Sequence, residues 1–175
     1  MDATTSHITI YNITPQQAQD FNFDYGGTPE SDLIGQLVPN QDDWGGLGWI
    51  ELEEFEYAAQ KNQLLLTINT KWDSPIAWLQ QASRAAHYFE NRLIVMSTIQ
   101  KDETCVTGVA VMDGEILQNK CLVELRSEDV GKYYSDTDED GYELDDLDNI
   151  IWDSITQFVN VCEQFYLEKD NENDN

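Results

Sequence analysis

Apolar positions along the chain follow two rhythms. In "HITIYN", Ile8 and Ile10 alternate with polar neighbours, as on a strand with one buried face. Thr14-Pro15 then predicts a helix start, with Thr14 as cap and Pro15 in the first position, where its missing N–H costs nothing. In "WIELEEFEY", Ile50 and Leu52 face one way and Glu51 and Glu53 the other, but Phe55 and Tyr57 fall out of phase by one residue. That slip predicts a bulge near Glu53–Glu54. After a turn at "AAQKN", "QLLLTINTKW" predicts a strand with Leu64, Leu66 and Ile68 on one side. The rhythm becomes helical in "DSPIAWLQQASRAAHYF", with Ser74 as N-cap, Pro75 at the first position and a stripe of Ile76, Leu79, Ala82, Ala86 and Phe89. "RLIVMSTIQ" and "TCVTGVAVM" are β-rich, and Asp113-Gly114 predicts a tight turn into the short strand "KCLVELR". The last run, "NIIWDSITQFVNVCEQFYLEK", places Ile151, Ile155, Phe158, Cys162 and Phe165 on one helical stripe, widened by Trp152, Val159 and Tyr166. A helix so patterned must pack on the domain or on a partner.

"DYGGTPESDLIGQLVPNQDDWGGLG" has neither rhythm and reads as a long, partly ordered loop. The chain is therefore expected to form a single α+β domain over residues 1–170: a core at 5–125, an acidic segment at 127–149 and a C-terminal helix at 148–169. Residues 170–175 are expected to be a disordered tail.

With 41% hydrophobic and 11% aromatic residues, the 175-residue chain can bury a core, so its charge is not a sign of disorder. That charge is large: 34 acidic residues against 9 basic give a net −25. Such a field opposes approach to DNA, RNA and anionic membrane. No basic patch exists, and Trp44, Trp49, Trp72 and Trp78 are interleaved with Asp and Glu, so direct nucleic-acid binding is not expected. No run is apolar enough to span a bilayer, "MDATTSHITIYN" lacks the regions of a secretory signal, and Cys105, Cys121 and Cys162 are odd in number and widely spaced. A cytoplasmic protein with reduced thiols is the expectation.

The densest acidic stretch, "YYSDTDEDGYELDDLDN", contains D-x-D-x-D-G. Asp136, Asp138 and Asp140 fall at calcium-loop positions 1, 3 and 5, with Gly141 at the bend. Position 12, which needs a bidentate Glu, is Leu147, and position 8 is Glu143. The loop lacks its strongest ligand, so no metal site is assigned. Asp145, Asp146 and Asp148 sit where a helix start attracts anions, but Asp136, Asp138, Glu139, Asp140 and Glu143 precede it with only Lys132 as a nearby cation. Catalysis finds no constellation: His7 lies near the terminus, His87 near a helix end, and neither neighbours a nucleophile motif. "GGLG" lacks the ending of a phosphate loop. No enzyme activity and no cofactor are expected.

The segment from Thr70 to Leu117 resembles the YubB-like, ferredoxin-fold family of plasmids and phages. Trp44-Gly45 and Trp49 are similar to its Trp-Gly element, Thr70, Trp72, Ser74 and Pro75 to its T-x-W-[S/D]-P motif, and Gly108 with Asp113-Gly114 to its hairpin. The resemblance covers roughly residues 5–125. It implies a ferredoxin-like antiparallel sheet with helices packed on one face, to which the acidic segment and the C-terminal helix are additions. It carries no activity or functional residues, but it implies a mobile-element origin and so favours a counter-defence role.

These readings converge on a non-enzymatic polyanion mimic. Its acidic surface comprises Glu51, Glu53, Glu54 and Glu56 on the strand, and Asp136, Asp138, Glu139, Asp140, Glu143, Asp145, Asp146 and Asp148 in the segment. Carboxylates at i, i+2 on a strand lie about 6.6 Å apart, a spacing comparable with that along an extended phosphate backbone. The expected partner is a basic nucleic-acid-binding host protein, of the restriction, CRISPR or DNA-handling kind, met in the host cytoplasm. Two alternatives stand beside it: a module that docks through its apolar helix or Trp loop, with acidity serving solubility, and a calcium-responsive module. Oligomeric state is not legible in the sequence.

Overall fold

The structure is a computed structural model that describes residues 3–20, 38, 47, 49–71, 73–84, 89–100, 105–124 and 142–167. It is an α+β fold. The elements run β1 (Ala3–Ile10), α1 (Pro15–Asp20), β2 (Ile50–Ala58), β3 (Gln63–Lys71), α2 (Ile76–Ser83), β4 (Ile94–Gln100), β5 (Cys105–Met112), β6 (Glu115–Glu124) and α3 (Tyr142–Tyr166). The six strands form one sheet in the order β2-β3-β1-β4-β5-β6, and every neighbouring pair is antiparallel.

Alternation along the strands gives the sheet two unlike faces. Ile8, Leu66 and Met96 lie in register across β1, β3 and β4 and belong to the main core, with Ile10, Leu64, Ile68, Ile94, Val109 and Val111. Trp78, Leu79 and Ala82 of α2 pack into that core, and Ala18 of α1 packs against it. Val38 and Leu47, from the segment expected to be a long loop, are buried there too. On the opposite face, α3 lays Phe158 and Cys162 against Tyr11, Leu93, Val95 and Ala110, and Ile151 and Ile155 against Val106.

Local chemistry explains the element ends. The Thr14 cap forms as a full capping box: the Gln17 N–H donates to Thr14 Oγ1 at 3.2 Å, and the Thr14 N–H to Gln17 Oε1 at 3.0 Å. Ser74 does not cap α2. Its hydroxyl lies 3.1 Å from Thr98 Oγ1 and so is used to tie the helix entry to β4, while Pro75 occupies the cap position. The Asp113-Gly114 turn joins β5 to β6 with both residues at positive φ (50° and 81°), the backbone that a two-residue hairpin demands. Its tip is docked on α2 by the Gly114 N–H donating to Ser83 Oγ at 2.7 Å.

The C-terminal helix begins at Tyr142 rather than Asp148. Ile151, Ile155, Phe158 and Cys162 are buried as the stripe predicts, but Phe165 is 54% exposed. A 3.6-residue period drifts, so after Cys162 the inward position passes to half-buried Tyr166, whose hydroxyl accepts from Gln118 Nε2 at 3.1 Å.

Candidate acidic surface and groove

Strand β2 lies at one edge of the sheet, and its register against β3 slips between Leu52 and Glu54. The bulge expected near Glu53–Glu54 therefore forms there, and it has a consequence for charge. Without it, Glu51 and Glu53 would face one side and Glu54 and Glu56 the other. With it, Glu51 pairs with Asn69, Glu54 with Thr67 and Glu56 with Leu65, all positions that share the His7 face. Glu53 Oε2 accepts from Asn69 Nδ2 at 2.9 Å, so its carboxylate sits on that face as well. All four glutamates are exposed.

This row borders the half of the α3 face formed by β1, β3 and β2, where the outward residues are Thr5, His7, Thr9, Leu65, Thr67 and Asn69. Thr5 Oγ1 donates to Asn69 Oδ1 at 2.9 Å, and Thr67 Oγ1 to Glu54 Oε2 at 3.4 Å. His7 is not at a loose terminus. It occupies the middle of central strand β1, paired with Thr67 on one side and Ser97 on the other. Its ring stacks obliquely on Trp152 of α3, with centroids 5.1 Å apart and planes at 53°. Burial holds its pKa below the ordinary imidazole value, against the opposing pull of Glu54 and Glu53. Around these rings a groove of about 220 Å³ is lined by His7, Thr9, Glu54, Glu56, Thr67 and Trp152.

The sequence marked Trp152 only as a residue that widens an apolar stripe, yet it is 47% exposed. It flanks the stripe on the side that meets β1, as does Glu163, whose Oε1 accepts from the Tyr11 hydroxyl at 2.8 Å. Burial first, and that carboxylate second, drive the Tyr11 pKa strongly upward. The opposite flank of α3 exposes Ile150, Val161 and Phe165 beside edge strand β6. A wider groove of about 400 Å³ runs there between Lys120, Cys121 and Leu122 and the helix residues Ser154, Gln157 and Val161. Cys105 and Cys121, far apart in sequence, are thiols 3.9 Å apart across β5 and β6. Cys162 is buried, which pushes its thiol up to about 11.

Of the acidic segment, Asp136, Asp138, Glu139 and Asp140 lie outside the described residues. Glu143, Asp145, Asp146 and Asp148 are helical, so Glu143 does not precede the helix, and Asp148 is exposed. The Tyr142–Leu147 stretch, which would give calcium-loop positions 7 to 12, is thus already α-helix. Its carbonyls point along the helix axis rather than round an ion. Among the described residues no group of His, Cys, Asp and Glu has the arrangement of a metal site, and no helix is long and apolar enough to cross a membrane. Trp78 is buried and Trp49 half-buried, while Trp44, Trp72 and His87 lie outside the described residues.

Comparison with protein-family models, with curated proteins and with solved structures returns no match to this chain.

Proposed function

We propose that the chain is a non-enzymatic polyanion mimic, which occupies the basic nucleic-acid-binding groove of a host defence or DNA-handling protein. The observation that carries this reading is the edge-strand row, in which one bulge turns Glu51, Glu53, Glu54 and Glu56 to a single face. Side-by-side carboxylates repel, and a strand that gathers four of them gains no fold stability from doing so. A basic partner supplies the compensation. The net charge of −25 adds long-range steering toward such a groove. The acidic run at Asp136–Asp148 extends the same field in sequence.

The order β2-β3-β1-β4, with α1 after β1 and α2 after β3, supports a ferredoxin-like unit in the first four strands. With the YubB-like motifs, that unit supports a mobile-element origin and a counter-defence role of the anti-restriction or anti-CRISPR type.

The test is competition. A fluorescent duplex is bound to each of a panel of restriction nucleases, CRISPR effectors and nucleoid proteins, and the chain is titrated in at several salt concentrations. Stoichiometric displacement from at least one panel member, weakening steeply with salt and lost in a Glu51/Glu53/Glu54/Glu56→Gln variant, supports the mimic. Displacement that ignores salt, or none across the panel, overturns it.

A second reading has its own observation: Ile150, Val161 and Phe165 stand exposed along the β6 flank of α3. A module that docks through this strip would keep its partner after the glutamates are neutralised and lose it on Val161→Asp or Phe165→Asp.

A further inference from the structure

The groove between α3 and the open half of the sheet has a composition that the acidic row alone does not explain. One wall is the exposed indole of Trp152, held at its angle by the His7 ring. The other carries the carboxylates of Glu54 and Glu56, and Thr9 and Thr67 lie between. Among the described residues that line the groove there is no lysine or arginine. Among the described residues the one basic group that lines the groove is His7, whose pKa burial holds below the ordinary imidazole value. An aromatic face opposite two uncompensated carboxylates is therefore left to attract a cation.

We propose that this groove is an anchor site for one arginine side chain of a protein partner, its guanidinium stacked on Trp152 and hydrogen-bonded to Glu54 and Glu56. Arginine suits the site better than other cations for three reasons. Its planar fork matches a flat indole and a carboxylate together, where an ammonium is a point charge. Calcium and magnesium want six or more oxygens, which two glutamates beside an aromatic wall do not provide, and among the described residues no group of His, Cys, Asp and Glu could hold another metal ion. A second copy of the chain brings another −25 charges and is repelled. The inference rests on the basic-partner reading above and adds the point at which one residue of that partner is gripped.

The probe is the tripeptide acetyl-Gly-Arg-Gly-amide, with its citrulline isostere as the uncharged control, titrated into the full chain. Binding is read from the Trp152 indole N–H resonance, assigned by its loss in Trp152→Phe. The expected result is a saturable shift of that resonance by the arginine peptide and none by the citrulline peptide. Trp152→Leu or Glu54→Gln/Glu56→Gln should weaken binding roughly three- to thirtyfold, followed on neighbouring backbone amides. All three side chains are exposed or nearly half-exposed, so the variants should fold, Glu54→Gln/Glu56→Gln with the wild-type melting temperature and Trp152→Leu with a slightly lower one for the lost ring contact with His7. Equal binding of the citrulline peptide, or an unchanged affinity in both variants, overturns the proposal. If the arginine peptide shifts only amides around Glu51 and Glu53, the groove assignment falls while the basic-partner reading stands. If the groove binds arginine but no duplex is displaced from any panel protein, the mimic falls and the anchor stands.

Discussion

The α3 face of the sheet has two halves, built on neighbouring strands and finished in opposite ways. Over β4 and β5 the outward residues are Val95, Ser97, Ile99, Val106, Gly108 and Ala110, small or apolar, and α3 covers this half. Over β1, β3 and β2 they are Thr5, His7, Thr9, Leu65, Thr67, Asn69 and the four glutamates, polar except for Leu65, and only the rim of α3 reaches them. One half was made to be buried by the chain itself. The other keeps its polar groups paired laterally, through Thr5–Asn69, Asn69–Glu53 and Thr67–Glu54, and so tolerates water until a partner arrives.

The covered half should break first and hardest. Phe158 is 5% exposed at the centre of the helix–sheet contact, so Phe158→Ala should cost about 3–5 kcal/mol in denaturant unfolding. The quadruple Glu→Gln variant on the open half should leave stability unchanged or raise it slightly, since it removes like-charge repulsion. Equal losses in the two variants would erase the distinction. Next in size is Gly108→Ala. A Cβ there would stand 2.6 Å from the Phe158 ring, so ring or helix must shift, at about 1–3 kcal/mol. Gly108→Ala combined with Phe158→Leu should recover part of that loss.

Much of the covered half was legible in the sequence. Ile151, Ile155, Phe158 and Cys162 name their stripe by spacing alone, and the strands, the Thr14 cap and the Asp113-Gly114 turn follow from local chemistry. The phase slip between Leu52 and Phe55 also announced the bulge. What the sequence hid is whatever depends on pairing across distance. His7 gave no sign that it lay in a central strand, because its neighbours β3 and β4 arrive some sixty and ninety residues later. Trp152 was legible as apolar but not as a groove wall, since that needs the tilt of a helix over a sheet. Ser74 looked like a cap, and its hydroxyl turned to Thr98 instead, because a buried hydroxyl on the sheet offered a partner.

The seam between the halves is held by Tyr11 and Glu163. Tyr11→Phe removes a 2.8 Å hydrogen bond to a carboxylate and should cost about 1 kcal/mol, with Glu163 left half-buried and short of a donor. Glu163→Gln should cost less, because an amide oxygen still accepts from the phenol. The same loss in both would show that the carboxylate charge, not the hydrogen bond, joins the helix to the strand.

The smallest effect falls on the open half alone, through the titration of His7. His7 folds with its pKa below the ordinary 6.5, chiefly through burial beneath Trp152 and against the pull of Glu54 and Glu53. Between its folded value and 6.5 the unfolded chain therefore binds more protons than the folded one. Stability rises with pH across that window, is complete above 6.5, and is lost as pH falls through it. His7→Gln removes this dependence while Gln keeps a polar group beside Thr67, so its melting temperature should fall less than that of the wild type on acidification from about pH 7.5 to about pH 5.5. Wild type and variant carry the same carboxylates, so the difference between their two slopes isolates His7. Identical slopes in wild type and variant would mean that His7 is as wet when folded as when unfolded. The groove would then be open water rather than a shaped site, and the arginine anchor would lose the wall that Trp152 forms against His7.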